Sequence, residues 1–282
     1  MDNEIEVFKP SIIIATTAPL TARQHDFYNF LLKSAYEQLD ENYVRDTFIF
    51  SYEQLKSFNP RLKSKAAIEE FMKEIYEKEF EFNVLAKDKT IEKNVKGKLI
   101  SVISKDNKNS TIEIGLEPFT VNALRKMIMK KKKIALPEGK EIKLNSYTKV
   151  YIKKNLTFYP SKVVFELLHD NNGKIEKMEF QDFKKITDTV EKYPDNYNSY
   201  VIKKIKTDLS KLIKNFKISL VKQGRITKYI NISGDISPKT FNEFYENWLK
   251  ESKLNDTIEN KKIAESLYKL SRGKNEDNII CK

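Results

Sequence analysis

The chain has one cysteine, Cys281, in 282 residues. A lone thiol forms no intrachain disulfide and no cysteine-ligated metal site, and it fits a reducing compartment such as the cytosol. Only two histidines are present, His25 and His169. They lie far apart, so the sequence offers no closely spaced histidine set to hold a metal beside a tyrosine nucleophile, as a DNA-nicking enzyme requires. No Ser-His-Asp or Cys-His context occurs either. Glycines number seven, and neither GxGxxG nor GxxxxGK[ST] is found, which argues against phosphate-loop nucleotide chemistry. No apolar run approaches the about 20 residues that span a bilayer. The run Ile12-Ile13-Ile14-Ala15 near the start is too short for a signal-peptide core. The expectation is a non-enzyme with no cofactor, no metal and no membrane partner.

What the chain does have is positive charge. Lysine and arginine total 52 against 40 acidic residues, a net +12 that points to a polyanionic partner, nucleic acid before membrane. Hydrophobic residues make up 40%, enough to bury sizeable cores. The excess is concentrated in one stretch, Tyr197 to Asn231. There Lys203, Lys204, Lys206, Lys211, Lys214, Lys217, Lys222, Arg225 and Lys228 face a single acid, Asp208.

The first half of that stretch has helical periodicity. Val201, Ile202, Ile205, Leu209, Leu212, Ile213 and Phe216 share one face, and the pattern predicts one helix over 199–216 with Asn198 or Ser199 as its N-cap. Lys203, Thr207, Ser210 and Lys214 project on the other side. The second half alternates as a hairpin, with Ile218 and Leu220 going out, Ile226, Ile230 and Ile232 returning, and Gln223-Gly224 as the turn. A helix with an apolar back and a basic front, followed by a basic hairpin, is the DNA-binding surface of a winged helix. A solvated lysine-rich helix would expose a similar face, but it would usually mix signs, whereas phosphate binding excludes carboxylates.

Taken in order, the chain predicts this arrangement twice. After an irregular start, Thr21 caps a helix to about Leu39, Phe48-Ile49-Phe50 is a short strand, and Ser51 with Gln54 has capping-box spacing for a helix to about Phe58. Ser64 opens a third helix to about Phe80, and strands follow at 81–86, 97–104 and 111–116 across the turn at 105–109. Pro118 starts a helix to about Lys133 that ends in four lysines, and 134–147 reads as a linker. In the second half a helix spans 161–168, Met178-Glu179-Phe180 is a short strand, 181–187 is a short helix, and the 199–216 helix and hairpin follow. The fold class expected is therefore α+β: two tandem winged-helix domains related by internal duplication, with extra C-terminal helices at 239–251 and 257–271. The expected boundaries are 1–140, 141–236 and 237–282, with the tail from Arg272 unstructured. The two copies differ in charge. The third helix of the first copy carries Glu69, Glu70, Glu74, Glu77 and Glu79 against Lys65, Lys73 and Lys78. The second copy is expected to read sequence, and the first to touch DNA backbone or another protein. In the C-terminal extension Phe241, Phe244, Tyr245, Trp248 and Leu249 form a stripe read as core rather than as a base-stacking platform.

This order of elements, with particular phrases, resembles the replication initiator (Rep) family of iteron-containing bacterial plasmids. The phrases are Leu20-Thr21-Ala22-Arg23-Gln24 opening the first helix and Tyr159-Pro160-Ser161-Lys162-Val163-Val164-Phe165-Glu166-Leu167-Leu168 opening the second half. Phe180-Gln181-Asp182-Phe183-Lys184-Lys185 follows, then Tyr193 ahead of the long helix, and Lys222-Gln223-Gly224-Arg225 at the wing turn. Phe165-Glu166 departs from the more usual Leu-Tyr-Glu. The resemblance covers about 15–235.

The resemblance implies a protein that binds direct repeats in a plasmid origin as a monomer, promotes opening of adjacent AT-rich DNA and recruits a host helicase or initiator. It implies partners of double-stranded origin DNA, single-stranded AT-rich DNA and a homodimer in equilibrium with the monomer. It also selects residues. Ser199, Tyr200, Lys203, Lys204 and Thr207 become base-reading candidates. Lys206, Lys211, Lys214, Lys222, Arg225 and Lys228 become backbone contacts, with Lys105, Lys108, Lys130 and Lys131 as weaker ones. The competing reading is a winged-helix transcriptional repressor on inverted repeats, or autoregulation by a dimeric form of the same initiator.

Overall fold

A computed structural model describes residues 5–39, 46–85, 91–128, 133–135, 141–143, 147–153, 155–190, 192–193, 197–236, 245, 249 and 257–271. They belong to two units, Met1–Asp235 and Ile236–Lys282. Helix and strand are mixed throughout.

The first unit opens with β1 (Ile5–Pro10), α1 (Ser11–Ile14) and β2 (Thr16–Thr17). Helix α2 (Ala22–Gln38) starts where its cap predicts. The Thr21 hydroxyl accepts from the Gln24 N–H at 3.2 Å, and the Gln24 side chain accepts from the Thr21 N–H at 3.1 Å. Two first-turn donors are thereby satisfied. Strand β3 (Thr47–Ser51) ends in the same device, Ser51 with Gln54, which starts α3 (Tyr52–Phe58). Ser64 caps α4 (Lys65–Tyr76) by accepting from the Ala67 N–H at 3.1 Å. The apolar faces converge on Phe27, Leu31, Leu55, Ile68, Met72 and Ile75, all buried. Each such side chain contributes roughly 1.5–3 kcal/mol of burial. Phe27 meets Phe71 edge-on with ring centres 5.2 Å apart.

Helix α4 stops at Tyr76, short of the predicted Phe80, because Phe80 and Phe82 alternate inward on β4 (Glu79–Leu85). β5 (Ile91–Lys98), β6 (Ile100–Asp106), β7 (Thr111–Leu116) and α5 (Pro118–Ile128) follow. Two antiparallel sheets result, β2-β4-β5 and β3-β7-β6. The second is the expected one, with Phe48 opposite Ile114 and Phe50 opposite Ile112. The first was not expected, since Glu92, Lys93, Lys96 and Lys98 leave β5 without a clear apolar alternation.

β8 (Lys133–Ala135) and β9 (Glu141–Lys143) pair inside the span read as a linker. β10 (Tyr147–Ile152) then returns to β1, from Ile5 opposite Ile152 to Pro10 opposite Tyr147. The start of the chain, expected to be irregular, is thus an antiparallel partner for a segment more than a hundred positions away.

The second half contains α6 (Tyr159–Asp170), β11 (Lys174–Glu179), α7 (Phe180–Ile186), a π-helical turn (Tyr197–Ile202), α8 (Lys203–Leu209), β12 (Lys217–Gln223) and β13 (Ile226–Ser233). Its sheet runs β11-β13-β12. In β3-β7-β6 and β11-β13-β12 alike, the strand preceding the paired helices lies beside the returning strand of the hairpin.

The halves meet through a buried polar cluster. Lys9 on β1 donates to Glu166 on α6 at 2.6 Å, and the Asn29 amide donates to the other carboxylate oxygen at 2.7 Å. His25 Nε2 lies 3.4 Å from Glu166. Burial alone would raise the Glu166 pKa, but Lys9 and His25 overcome it and hold the carboxyl well below its usual range. Beside it Lys162 donates to Asp26 at 2.7 Å and to the Lys153 carbonyl at 2.6 Å. Here burial dominates, pushing Asp26 up and Lys162 down.

In the second unit α9 (Ile258–Ser271) is described, and the Tyr245 hydroxyl donates to the Thr257 carbonyl at 3.3 Å. The predicted 239–251 helix is described only at Tyr245 and Leu249, and Trp248 lies outside the described residues, as do the tail from Arg272, Lys130 and Lys131. Among the described residues, no helix is long and apolar enough to cross a membrane, and no three His, Cys, Asp or Glu side chains cluster to hold a metal ion.

Candidate nucleic-acid interface

The basic stretch has an apolar back, as predicted. Val201, Ile205, Leu209, Ile213 and Phe216 are buried against the second-half core. Tyr197 is buried too. Its hydroxyl lies 2.9 Å from the Thr189 hydroxyl, and burial pushes its pKa up to about 12. The positions 197, 201, 205, 209 and 213 recur every fourth residue. On an α-helix such a row drifts by about 40° per step. The π-helical turn at Tyr197–Ile202 holds more residues per turn and takes up part of that drift.

Two helix expectations are corrected. Asn198 and Ser199, expected as N-caps, lie inside the π turn, and α8 itself has no side-chain cap. The α-helix also ends at Leu209 instead of running to Phe216. Beyond it the N–H groups of Leu212 and Ile213 both donate to the Leu209 carbonyl, at 3.0 and 2.8 Å. The Lys214 carbonyl accepts from the Asp235 N–H at 2.9 Å, and Asn215 turns left-handed at φ 56°. Gly234 packs so close that a Cβ there would sit 2.4 Å from Ile213 Cγ2. Tertiary bonds to residues 234–235 therefore override the helical period.

The wing is built as a hairpin with Ile218 opposite Ile232 and Leu220 opposite Ile230. Gln223 pairs with Ile226, which makes the turn Gly224-Arg225 and not Gln223-Gly224. Gly224 takes φ +61°, as a tight hairpin turn requires at its first position. A register shift between Val221 and Lys222 twists the tip away from the body. Ile226, expected on the core face, is 74% exposed as a result.

The side chains predicted to touch DNA fall into distinct groups. Ser199, Lys203 and Thr207 are exposed along one side of the π turn and α8, with Lys206, Lys211 and Lys214 exposed near them. Lys222 and Arg225 are exposed at the wing, and Lys228 is half-buried with its ammonium 5.1 Å from the Tyr229 ring centre. Lys204 is half-buried and lies 3.0 Å from Asp208. Tyr200 is 51% exposed but stacks on Tyr193 at 5.3 Å and meets Phe158 edge-on. In the first half Lys105 is bonded to Glu69, which also accepts from the Tyr52 hydroxyl at 2.6 Å. These hydrogen bonds, from Lys105 first, lower the Glu69 pKa. Lys108 is exposed on the β6–β7 turn, where its N–H donates to Asp106.

Sequence reading missed how the lone acid is accommodated. Asp208 accepts from the Ser161 hydroxyl of α6 at 2.9 Å and from Lys204, and its side chain is only 11% exposed. The carboxylate is turned inward, which leaves the outer face of α8 uniformly basic. Its being the single acid of the stretch was the available signal.

No protein-family profile and no curated protein sequence matches the chain. Among solved structures it is similar to the Pi initiator protein in complex with iteron DNA. That match has 12% identity and a TM-score of 0.47, and covers 83% of this chain and 98% of that one. It is also similar to the WH1 domain of a replication protein isolated from a multiple sclerosis patient. There the identity is 15% and the TM-score 0.25, over 39% of this chain and 79% of that one.

Proposed function

We propose that this chain is a plasmid replication initiator of the iteron-binding kind, built from two winged helices related by internal duplication. Residues 1–140 form a domain that contacts DNA backbone or a second copy. Residues 141–236 form the domain that reads the origin repeats, and 237–282 are a helical extension. The observation that carries the reading is the pairing of an exposed basic face, Lys203, Lys206, Lys211 and Lys214, with a wing bearing Lys222 and Arg225, the single carboxylate of residues 197–231 being turned inward. The like strand order of β3-β7-β6 and β11-β13-β12 supports the duplication. Bound as a monomer to direct repeats, such a protein opens the adjacent AT-rich duplex and recruits a host helicase or initiator. Its dimer binds an inverted repeat instead.

The test is a gel shift with permanganate footprinting on the DNA flanking the gene in its own replicon. The expected result is binding to tandem repeats with reactive thymines in the AT-rich flank. Binding confined to an inverted repeat, with the duplex closed, would make the chain a repressor.

A further inference from the structure

A second basic site shares no lining residue with α8 or the wing. A cavity of about 450 Å³ opens between the N-terminus of α2, the turn joining α3 to α4, and residues 156–157. Arg23, Asn59 and Arg61 line it, with Thr21, Asp26 and Leu156. Arg23 Nε donates to Asn59 Oδ1 at 3.1 Å, which fixes both side chains. The remaining ends of that pair are buried donors with nothing to bond, Arg23 Nη2 and Asn59 Nδ2. Asn59 is 7% exposed. A buried donor left unmade costs on the order of 1–3 kcal/mol, more when it is charged. Arg61 is exposed at the rim, and no carboxylate among the described residues is seen to bond it. Asp26 is engaged with Lys162 at 2.7 Å and so is largely neutralised. In α2, a helix of 17 residues, the Thr21 hydroxyl takes the Gln24 N–H, and the N–H groups of Ala22 and Arg23 have no acceptor inside the helix.

We infer that this cavity is a phosphate-binding pocket, in which Arg23, Asn59 and Arg61 grip the oxygens of one phosphate group at the N-terminus of α2. Guanidinium forks match phosphate geometry, and a helix N-terminus adds dipole and N–H donors. One oxyanion would satisfy both orphaned donors and separate the like charges of Arg23 and Arg61. Burial, then Arg61, lowers the Arg23 pKa, with Glu74 opposing. The phosphate is carried either by a DNA backbone or by a free phosphate compound. The first source rests on the DNA-binding reading above; the second does not.

The experiment uses the full chain, two disrupting variants and one that keeps the charge. Arg61→Ala removes an exposed charge and leaves the core intact. Asn59→Asp keeps the acceptor for Arg23 and replaces the orphaned donor with a second carboxylate oxygen. Calorimetric titration with inorganic phosphate, at ionic strength held constant with chloride, is expected to show saturable binding. That binding should weaken at least tenfold in both disrupting variants and less in Arg61→Lys, which keeps the charge without the fork. In parallel, the salt dependence of duplex binding is measured. A slope smaller by about 0.9 in Arg61→Ala assigns the phosphate to the DNA backbone. An unchanged slope, with phosphate binding lost, assigns it to a free compound. If neither the titration nor the slope separates wild type from both variants, the pocket is overturned. Should the chain bind no DNA at all, the initiator reading fails and the titration alone decides the pocket.

Discussion

The Lys9 ammonium lies 2.6 Å from the Glu166 carboxylate, across 157 positions of sequence, and both side chains are nearly closed to solvent. Removing one partner of such a pair leaves an uncompensated buried charge, a loss of about 3–5 kcal/mol. Lys9→Met is expected to lower the urea unfolding midpoint by a corresponding amount. Adding Glu166→Gln should recover part of the loss, because the charge that Lys9 left behind is gone. Equal midpoints for Lys9→Met and wild type would mean that the pair does not join the halves.

The same carboxylate predicts acid sensitivity. Its folded pKa lies below the unfolded value of about 4.3. Its stabilising contribution is therefore complete above the unfolded pKa and is lost as pH falls toward the folded one. The difference in unfolding free energy between wild type and Glu166→Gln should be constant near pH 7 and narrow progressively from about pH 5 down to 3. The difference between the two isolates Glu166 from Asp26, whose raised pKa acts in the opposite direction.

On the proposed DNA face, Lys203→Ala is expected to cost about 1–3 kcal/mol of repeat binding, measured by fluorescence anisotropy. Lys204→Ala should cost less, since Lys204 is already paired with Asp208. Lys73→Ala, on the acidic α4, serves as the neutral control. Lys78 would be a poor control, because it donates to the Pro19 carbonyl and the Gln24 side chain. A loss at Lys73 with none at Lys203 would reverse the roles given to the two halves.

Six to eight phosphate contacts imply a slope of log K against log salt of about −5 to −7. Arg225→Ala at the wing should reduce its magnitude by about 0.9 and leave the preference for one sequence over another unchanged. A slope near zero would remove DNA binding of either kind.

Gly224 tests the wing itself. A Cβ there meets nothing within 4 Å, so the cost of substitution is backbone strain at φ +61° alone. Gly224→Val should destabilise the tip by about 1–3 kcal/mol and weaken DNA binding, while Gly224→Asn should be nearly neutral. Hydrogen exchange of the β12–β13 amides reads this directly.

Local signals were legible in the sequence and distant ones were not. Thr21 with Gln24, Ser51 with Gln54, and Ser64 announced three helix starts, because a cap is written within four residues. The apolar back of residues 201–216 was equally plain. Its unwinding after Leu209 was not, since it depends on Gly234 and Asp235 closing over Ile213 and Lys214. The β1–β10 pairing was hidden in the same way. Lys9, Asp26, Lys162 and Glu166 read as ordinary surface charges until α2 and α6 are packed together. The phosphate pocket escaped notice because Asn59 and Arg61 sit in a turn with no periodicity.

The strand and the ion cluster that tie the two halves also limit how either half can change. Because β1 is completed by β10, and Lys9 by Glu166, the unit that folds is larger than either half. A fragment cut at the start of the second half would carry Glu166 into solvent or into an apolar interior without its counter-ion. Exchange of whole halves between related chains would therefore succeed only where residues 9, 26, 162 and 166 travel together. The two halves are in this way inseparable at the joint.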